Sequence, residues 1–264
     1  MKKIVKSLLA AALIIVSFAG CSKKQEETKS LLEQIKERGY IIVGTEGTYI
    51  PKSYHDESGK LVGFDVEVAA LIAKYMGVEV RYEETKWEAI FTALDTGKID
   101  IIVNECGYNE ARAQKYDFTN PYTYEQGAVL TRADNDTIHS IEDIKGKVAA
   151  NETTSLLGKM AEEYGATLDP VSEMAQSITE VINGRADCTL NYLTSFETYM
   201  NAHPEAEVKI AAVLGAAPTA FIPVVKGNED LVEAINDALK KAYDSGELSE
   251  LSMKYLGKDV TKAE

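Results

Sequence analysis

A chain of 264 residues exceeds one average domain and suits two compact lobes of about 100 residues each. Hydrophobic residues make up 45% and charged residues 27%, a balance that supports packed cores and excludes a disordered polymer. Acidic residues number 42 against 28 Lys and Arg, and the formal net charge of -14 repels nucleic acid and anionic lipid headgroups while keeping an exported protein soluble.

The chain opens with a basic start at Lys2, Lys3 and Lys6, followed by the mostly apolar run Leu8 to Phe18. That run is too short for a ~30 Å hydrocarbon core and reads as the core of a signal peptide over residues 1–20. Small residues lead into Phe18-Ala19-Gly20-Cys21, a pattern that resembles a bacterial lipobox, in which the Cys21 thiol is acylated and becomes the new N-terminus. Cleavage would remove three lysines and take the charge from -14 to -17. Ser22 to Lys29 then reads as a polar tether, and Ser22 beside the lipidated cysteine favours a host with one membrane.

From Ser30 to Arg38 the positions Leu31, Leu32 and Ile35 share one face, predicting a helix that Gly39 stops; residues 21–38 are thus anchor, tether and leading helix. Tyr40 to Gly44 reads as a short strand. Gly63-Phe64-Asp65 opens a helix to Tyr75, with Val66, Val68, Ala69, Ile72 and Ala73 inward and Gly77 at its end. Val78 to Tyr82 is the next strand, Trp87 to Thr96 a helix closed by Gly97, and Ile99 to Val103 a third strand. Such alternation implies βαβ units and a largely parallel sheet with helices on both faces. After an extended crossing from Phe118 to Leu130 the same grammar restarts. A short helix is predicted at Ser140 to Ile144, a strand at Lys147 to Ala150, helices at Leu156 to Tyr164 and Met174 to Asn183, a strand at Ala186 to Leu190 and a helix at Leu193 to Asn201. Pro218 to Val225 reads as the return crossing, followed by helices at Asn228 to Ser245 and Leu248 to Tyr255 that rejoin the first unit. Two crossings make a hinge, and ligands of such sheets bind outside the strand C-termini.

With Cys21 assigned to the anchor, Cys106 and Cys188 remain, one per unit and each near a buried strand. A disulfide between them would lock the units together, so both are expected as buried thiols. His55, His139 and His203 stand singly in polar surroundings, and no Cys/His spacing matches a metal site or calls for a cofactor.

Several motifs then occur in order. They are Gly44-Thr45-Glu46-Gly47-Thr48-Tyr49-Ile50-Pro51, Gly63-Phe64-Asp65-Val66-Glu67-Val68-Ala69 and Gly97-Lys98-Ile99-Asp100. Arg112 with Phe118-Thr119-Asn120-Pro121-Tyr122, Ile144-Lys145-Gly146-Lys147-Val148 and Gly184-Arg185-Ala186-Asp187 follow, and Asp244-Ser245-Gly246 with Tyr255-Leu256-Gly257 closes the series. Together they resemble the polar amino acid ABC-transporter substrate-binding proteins, family 3 of the solute-binding proteins. Glu46 to Tyr49, His55 to Lys60 and Thr154-Ser155 are most similar to its cystine-binding members. The resemblance covers Gly39 to Gly257. It implies an α/β, two-lobed periplasmic-binding-protein-like fold of type II, with residues 39–124 plus 219–264 as one lobe and 125–218 as the other. It further implies an extracytoplasmic monomer, held at the membrane by lipid on Cys21, that passes a polar amino acid to an ABC permease.

The resemblance also implies a site. Arg112 would meet the ligand α-carboxylate, because a guanidinium fork matches two carboxylate oxygens; without the motif, such an arginine reads as a surface ion pair. Thr154 and Ser155 open a helix whose free N–H groups and hydroxyls suit the same carboxylate, and they equally suit N-capping. Trp87, the one tryptophan, and Tyr49 would form aromatic walls, with core packing the alternative for Trp87. Gly107 would let a ligand approach the main chain, or simply make a turn. For the ligand ammonium the family pattern has an Asp near Asn191-Tyr192, which this chain lacks. A buried ammonium needs a carboxylate, so Glu105 or Glu46 is expected to substitute, with Tyr192 hydrogen-bonding and Asn191 beside it. The alternatives are a sensor for a related carboxylate and a dehydratase-type enzyme on the same fold. An enzyme needs a paired acid–base constellation, and the sequence offers single acidic candidates with no His near the cleft.

Overall fold

The computed structural model describes residues 29–215 and 219–263. The signal segment, Cys21, most of the tether and Pro218 lie outside these residues.

The first unit begins with helix α1 (Leu31–Arg38), whose Ser30 and Glu33 form a capping box and whose end is Gly39 in a left-handed conformation. Strand β1 (Tyr40–Thr45) follows, then a small meander of β2 (Thr48–Tyr49), β3 (Ser53–His55) and β4 (Leu61–Val62). Helix α2 (Phe64–Met76), strand β5 (Glu79–Glu84), helix α3 (Trp87–Asp95) and strand β6 (Ile101–Ile102) complete an all-parallel sheet in the order β5-β1-β6. Ile99 to Val103 is therefore only briefly a strand. The Asp100 carboxylate accepts from the Ile42 N–H at 2.6 Å and pairs with Arg38, which fixes the approach to β6.

The chain next forms β7 (Cys106–Gly107), α4 (Glu110–Ala113), β8 (Tyr116–Phe118), β9 (Thr123–Tyr124) and β10 (Gly127–Arg132). A 3-10 turn at Ile141–Ile144, capped by Ser140 and Asp143, leads to β11 (Val148–Asn151), α5 (Leu156–Glu163), β12 (Thr167–Pro170), α6 (Met174–Ile182), β13 (Cys188–Tyr192), α7 (Leu193–Ala202) and β14 (Val208–Val213). The second sheet has the order β12-β11-β13-β10-β14, and β10 runs antiparallel to both neighbours. Four of its five strands thus run the same way, so this sheet too is largely parallel, with β10 the one reversed strand. The chain enters the second unit already extended, and β10 joins the sheet without a crossover helix to reverse it.

The return crossing is β15 (Thr219–Phe221) and β16 (Pro223–Val225), followed by α8 (Glu229–Asp244) and α9 (Glu247–Leu256). β15 pairs with β7 and β9, and β16 with β8, so outgoing and returning chains hydrogen-bond to each other between the units. Helices α8 and α9 share the α2 core through Leu231, Ile235, Leu239 and Leu248. Alternation along the strands divides each core in two. Val129 and Ala149 pack on the α5 face of the second sheet, whereas Leu130 and Ala150 pack on its α6–α7 face. Cys106 and Cys188 are buried free thiols, and the three histidines are exposed.

Candidate functional site

A crevice lies between the two units, with about 50 Å³ of space that a water-sized group can reach. It is built from the residues that follow the parallel strands: Glu46 after β1, Trp87 after β5, Asn104 and Glu105 after β6, Glu152 after β11, Glu173 after β12, and Asn191-Tyr192 at the end of β13. Side chains from both units therefore meet in one place.

Arg112 enters this crevice from α4, whose N-cap Asn109 accepts from the Arg112 N–H at 2.8 Å. Arg112 is 9% exposed; its Nη1 donates to the Gly107 carbonyl at 2.6 Å and Nη2 to the Thr154 carbonyl at 2.9 Å. The first carbonyl belongs to the first unit and the second to the other, so the fork bridges them. Its Cζ lies 5.2 Å from the Trp87 ring centre and 4.8 Å from that of Phe91. Gly107 is needed for this closeness, because a Cβ there would lie 2.6 Å from Leu156 Cδ2 of the opposite unit. Trp87 is buried in the crevice wall, edge-on to Phe91, with its indole N–H unpartnered among the described residues.

Tyr49 reaches across the cleft: its hydroxyl donates to Asn191 Oδ1 at 2.7 Å and accepts from Ser195 at 3.3 Å, while its ring packs against the second unit's core. Ser155 lines the crevice as the N-cap of α5, accepting from Gly158 N–H at 2.9 Å and donating to the Glu152 carbonyl at 2.9 Å. Thr154 has an exposed side chain and contributes its carbonyl to Arg112.

Glu105 also lines the crevice, with its side chain engaged inside the protein. It stands in the left-handed region at φ 47, a costly conformation outside glycine, held where its N–H donates to the Tyr122 hydroxyl and its carbonyl accepts from Tyr192. Its carboxylate is already occupied. Lys52 Nζ donates to one oxygen at 2.9 Å and Thr123 to the other at 3.1 Å. Lys52 also pairs with Glu125, whose carboxylate accepts from Thr194 at the start of α7. Lys52 has no exposed surface; burial opposes its charge, but Glu105, Glu125 and Asp65 outweigh it and hold the ammonium above its usual range. Burial lifts Glu105 to about 7 against the pull of Lys52. Tyr192, likewise expected to serve the ligand, has its hydroxyl committed to the Glu105 carbonyl and its ring 5.8 Å from Lys52 Nζ.

Glu46 lines the crevice. Its carboxylate accepts from Asn104 Nδ2 at 2.6 Å, and burial, with smaller pushes from Glu88 and Glu173, raises it to about 7. Across the crevice, burial and then the charges of Glu46 and Glu88 raise Glu152 to about 8. Sequence reasoning missed Glu152, Glu173 and Asn104, although each lies just beyond the C-terminal end of a parallel strand and that position was the available signal. It also missed Lys52 and Glu125, for which no sequence signal exists, since lysine and glutamate are ordinarily solvated. Among the described residues no group of three or more His, Cys, Asp and Glu could hold a metal ion, and no helix is long and apolar enough to cross a membrane.

With this geometry in hand, comparison with known proteins gives a consistent answer. Residues 41–258 match the family described as bacterial extracellular solute-binding proteins, family 3. The L-cystine-binding protein TcyA of Bacillus subtilis is 37% identical, over 97% of this chain and 99% of its own. An ancestral arginine-binding protein bound to arginine superposes with a TM-score of 0.78 at 33% identity, covering 83% of this chain and 99% of that one. The L-cystine solute receptor of Neisseria gonorrhoeae, in its unliganded open conformation, is 37% identical and covers 89% of this chain and 100% of its own, yet superposes at only 0.62.

Proposed function

The chain belongs to the bacterial extracellular solute-binding proteins of family 3, and from that premise we propose that it captures L-cystine between two closing lobes for an ABC importer. The relatives it matches over nearly their whole length are binding proteins, and it is an amino-acid-binding protein of the ABC-transporter type rather than an enzyme. The choice of cystine rests on the cystine-binding relatives. The lobes are residues 39–124 with 219–264, and residues 125–218. Cys21 carries the lipid that holds a monomer outside the membrane, beside its permease.

The observation that carries the reading is Arg112, buried in the crevice and bridging both units through Gly107 and Thr154. A ligand carboxylate would take the place of those carbonyls and form a bidentate, charge-assisted pair, stronger in a crevice from which closure has removed water. Trp87 and Tyr49 supply apolar walls, and Glu46 is the carboxylate left for the ligand ammonium now that Lys52 occupies Glu105. The lower superposition on an open relative than on a ligand-bound one, despite higher identity, supports a closing motion of rigid lobes.

A thermal-shift screen of the amino acids and cystine tests this, since a ligand that binds only the folded chain raises its melting temperature. L-Cystine is expected to give a rise of several degrees that Arg112→Ala abolishes. A screen in which no amino acid moves the wild-type transition would remove the proposal.

A further inference from the structure

Glu46 and Glu152 line the same crevice from opposite lobes, one at the end of β1 and the other at the end of β11. We infer that these two carboxylates form the receptor for the cationic part of the ligand, so that an ammonium between them draws the lobes shut. The inference rests on the binding reading above and assigns its specificity.

Their surroundings argue for it. Arg112 is the one cation lining the crevice, and its fork points to the carbonyls of Gly107 and Thr154. Lys52 lies buried behind Glu105 and is consumed by Glu105 and Glu125. The charged groups that face the pair from neighbouring elements are Glu88 on α3 and Glu173 ahead of α6, and both repel it. Asn104 donates one hydrogen bond to Glu46, whereas no side chain among the described residues donates to Glu152. The crevice therefore holds more carboxylates than cations, and a bound cation would balance the excess. The unpartnered indole N–H of Trp87 in the same wall is a second vacant polar position. Burial raises Glu46 to about 7 and Glu152 to about 8, so the empty closed crevice holds protons near neutral pH that an arriving ammonium displaces. Binding should then release protons and tighten as pH rises, by up to about tenfold per unit below pH 8 for each proton released.

Calorimetric titration of the full folded chain with L-cystine at pH 6.0 and 8.5, in buffers of different ionisation heat, counts those protons. The same titration with 3,3′-dithiodipropionate, the cystine skeleton without its ammonium groups, reads the selectivity. The wild type is expected to release protons on binding cystine, to bind it more tightly at pH 8.5, and to bind dithiodipropionate at least about 100-fold more weakly. Glu152→Gln and Glu46→Gln should each weaken cystine at pH 8.5 by tenfold or more, flatten the pH dependence and narrow the gap to dithiodipropionate. A melting temperature at pH 8.5 that does not fall in Glu152→Gln shows that the variant is folded, since the change removes a buried repulsion. If the wild type binds cystine and both variants keep its affinity and proton count, the inference fails alone. If the wild type binds no amino acid, it falls together with the proposed function.

Discussion

A lysine ammonium with no exposed surface survives in a fold only when its partners repay the lost hydration, and Lys52 has Glu105 and Glu125 for that purpose. The two carboxylates share one cation, so removing it strands both. Lys52→Met should therefore destabilise the protein by about 3 kcal/mol or more at pH 8, read from urea unfolding. The pH dependence has a definite sign. Burial places Glu105 near 7 in the fold, above its unfolded value, so the folded state retains a proton that the unfolded chain has released. In the variant, with Lys52 gone, neutralising the stranded carboxylates relieves the damage at low pH, and the loss should shrink toward pH 5. Equal losses at pH 5 and pH 8 would mean that the triad is not charged as its geometry indicates. The same residue marks the limit of sequence reading. Glu105 stands out in the sequence as an unusual acid after an apolar strand, but only its spatial pairing with Lys52 shows that it is occupied, and that pairing spans 53 positions of sequence.

At the scale of elements, what the sequence makes legible follows from local periodicity. Helices α2, α3, α6, α8 and α9 and the parallel strands β1 and β5 have apolar faces or runs that declare them, with glycines such as Gly77 and Gly257 at their ends. The direction of β10, by contrast, is decided by how the chain enters the second unit, and β12 and β14 are half-exposed edge strands, β12 without a continuous apolar run. The crevice was legible as far as the rule that parallel strands end at the site. It was not legible in which acid does what, because that depends on contacts between units. Gly107 illustrates such a contact. It lies in β7, paired with β15, and faces Leu156 at the start of α5 in the other lobe. A side chain there would leave each unit's own packing largely unchanged and obstruct their approach. Gly107→Val should weaken ligand binding by about tenfold or more with little change in melting temperature, and a parallel fall in both would assign Gly107 to folding instead.

On the proposed function, the decisive quantity for the molecule as a whole is the balance between open and closed lobes. Tyr49 to Asn191 at 2.7 Å and Tyr192 to the Glu105 carbonyl at 3.2 Å are two of the hydrogen bonds that cross the cleft, beside those of Arg112 to Thr154 and Ser195 to Tyr49. Against them stands the repulsion of Glu46 and Glu152 once both are ionised; burial raises each, and Glu46 adds to the rise of Glu152. A net hydrogen bond contributes about 1 kcal/mol, so losing both shifts the closed-to-open ratio by roughly thirtyfold. The double variant Tyr49→Phe with Tyr192→Phe keeps both aromatic walls and removes only the hydroxyls. Small-angle scattering should find it more expanded than the wild type without ligand, and cystine should restore the compact form at a higher concentration. Opening costs little at the crossings, where β9 pairs with β15 over two short registers that can twist without breaking either core. If the double variant scattered like the wild type with and without ligand, the lobes would be held by their hinge strands rather than by the cleft, and ligand capture would not depend on closure.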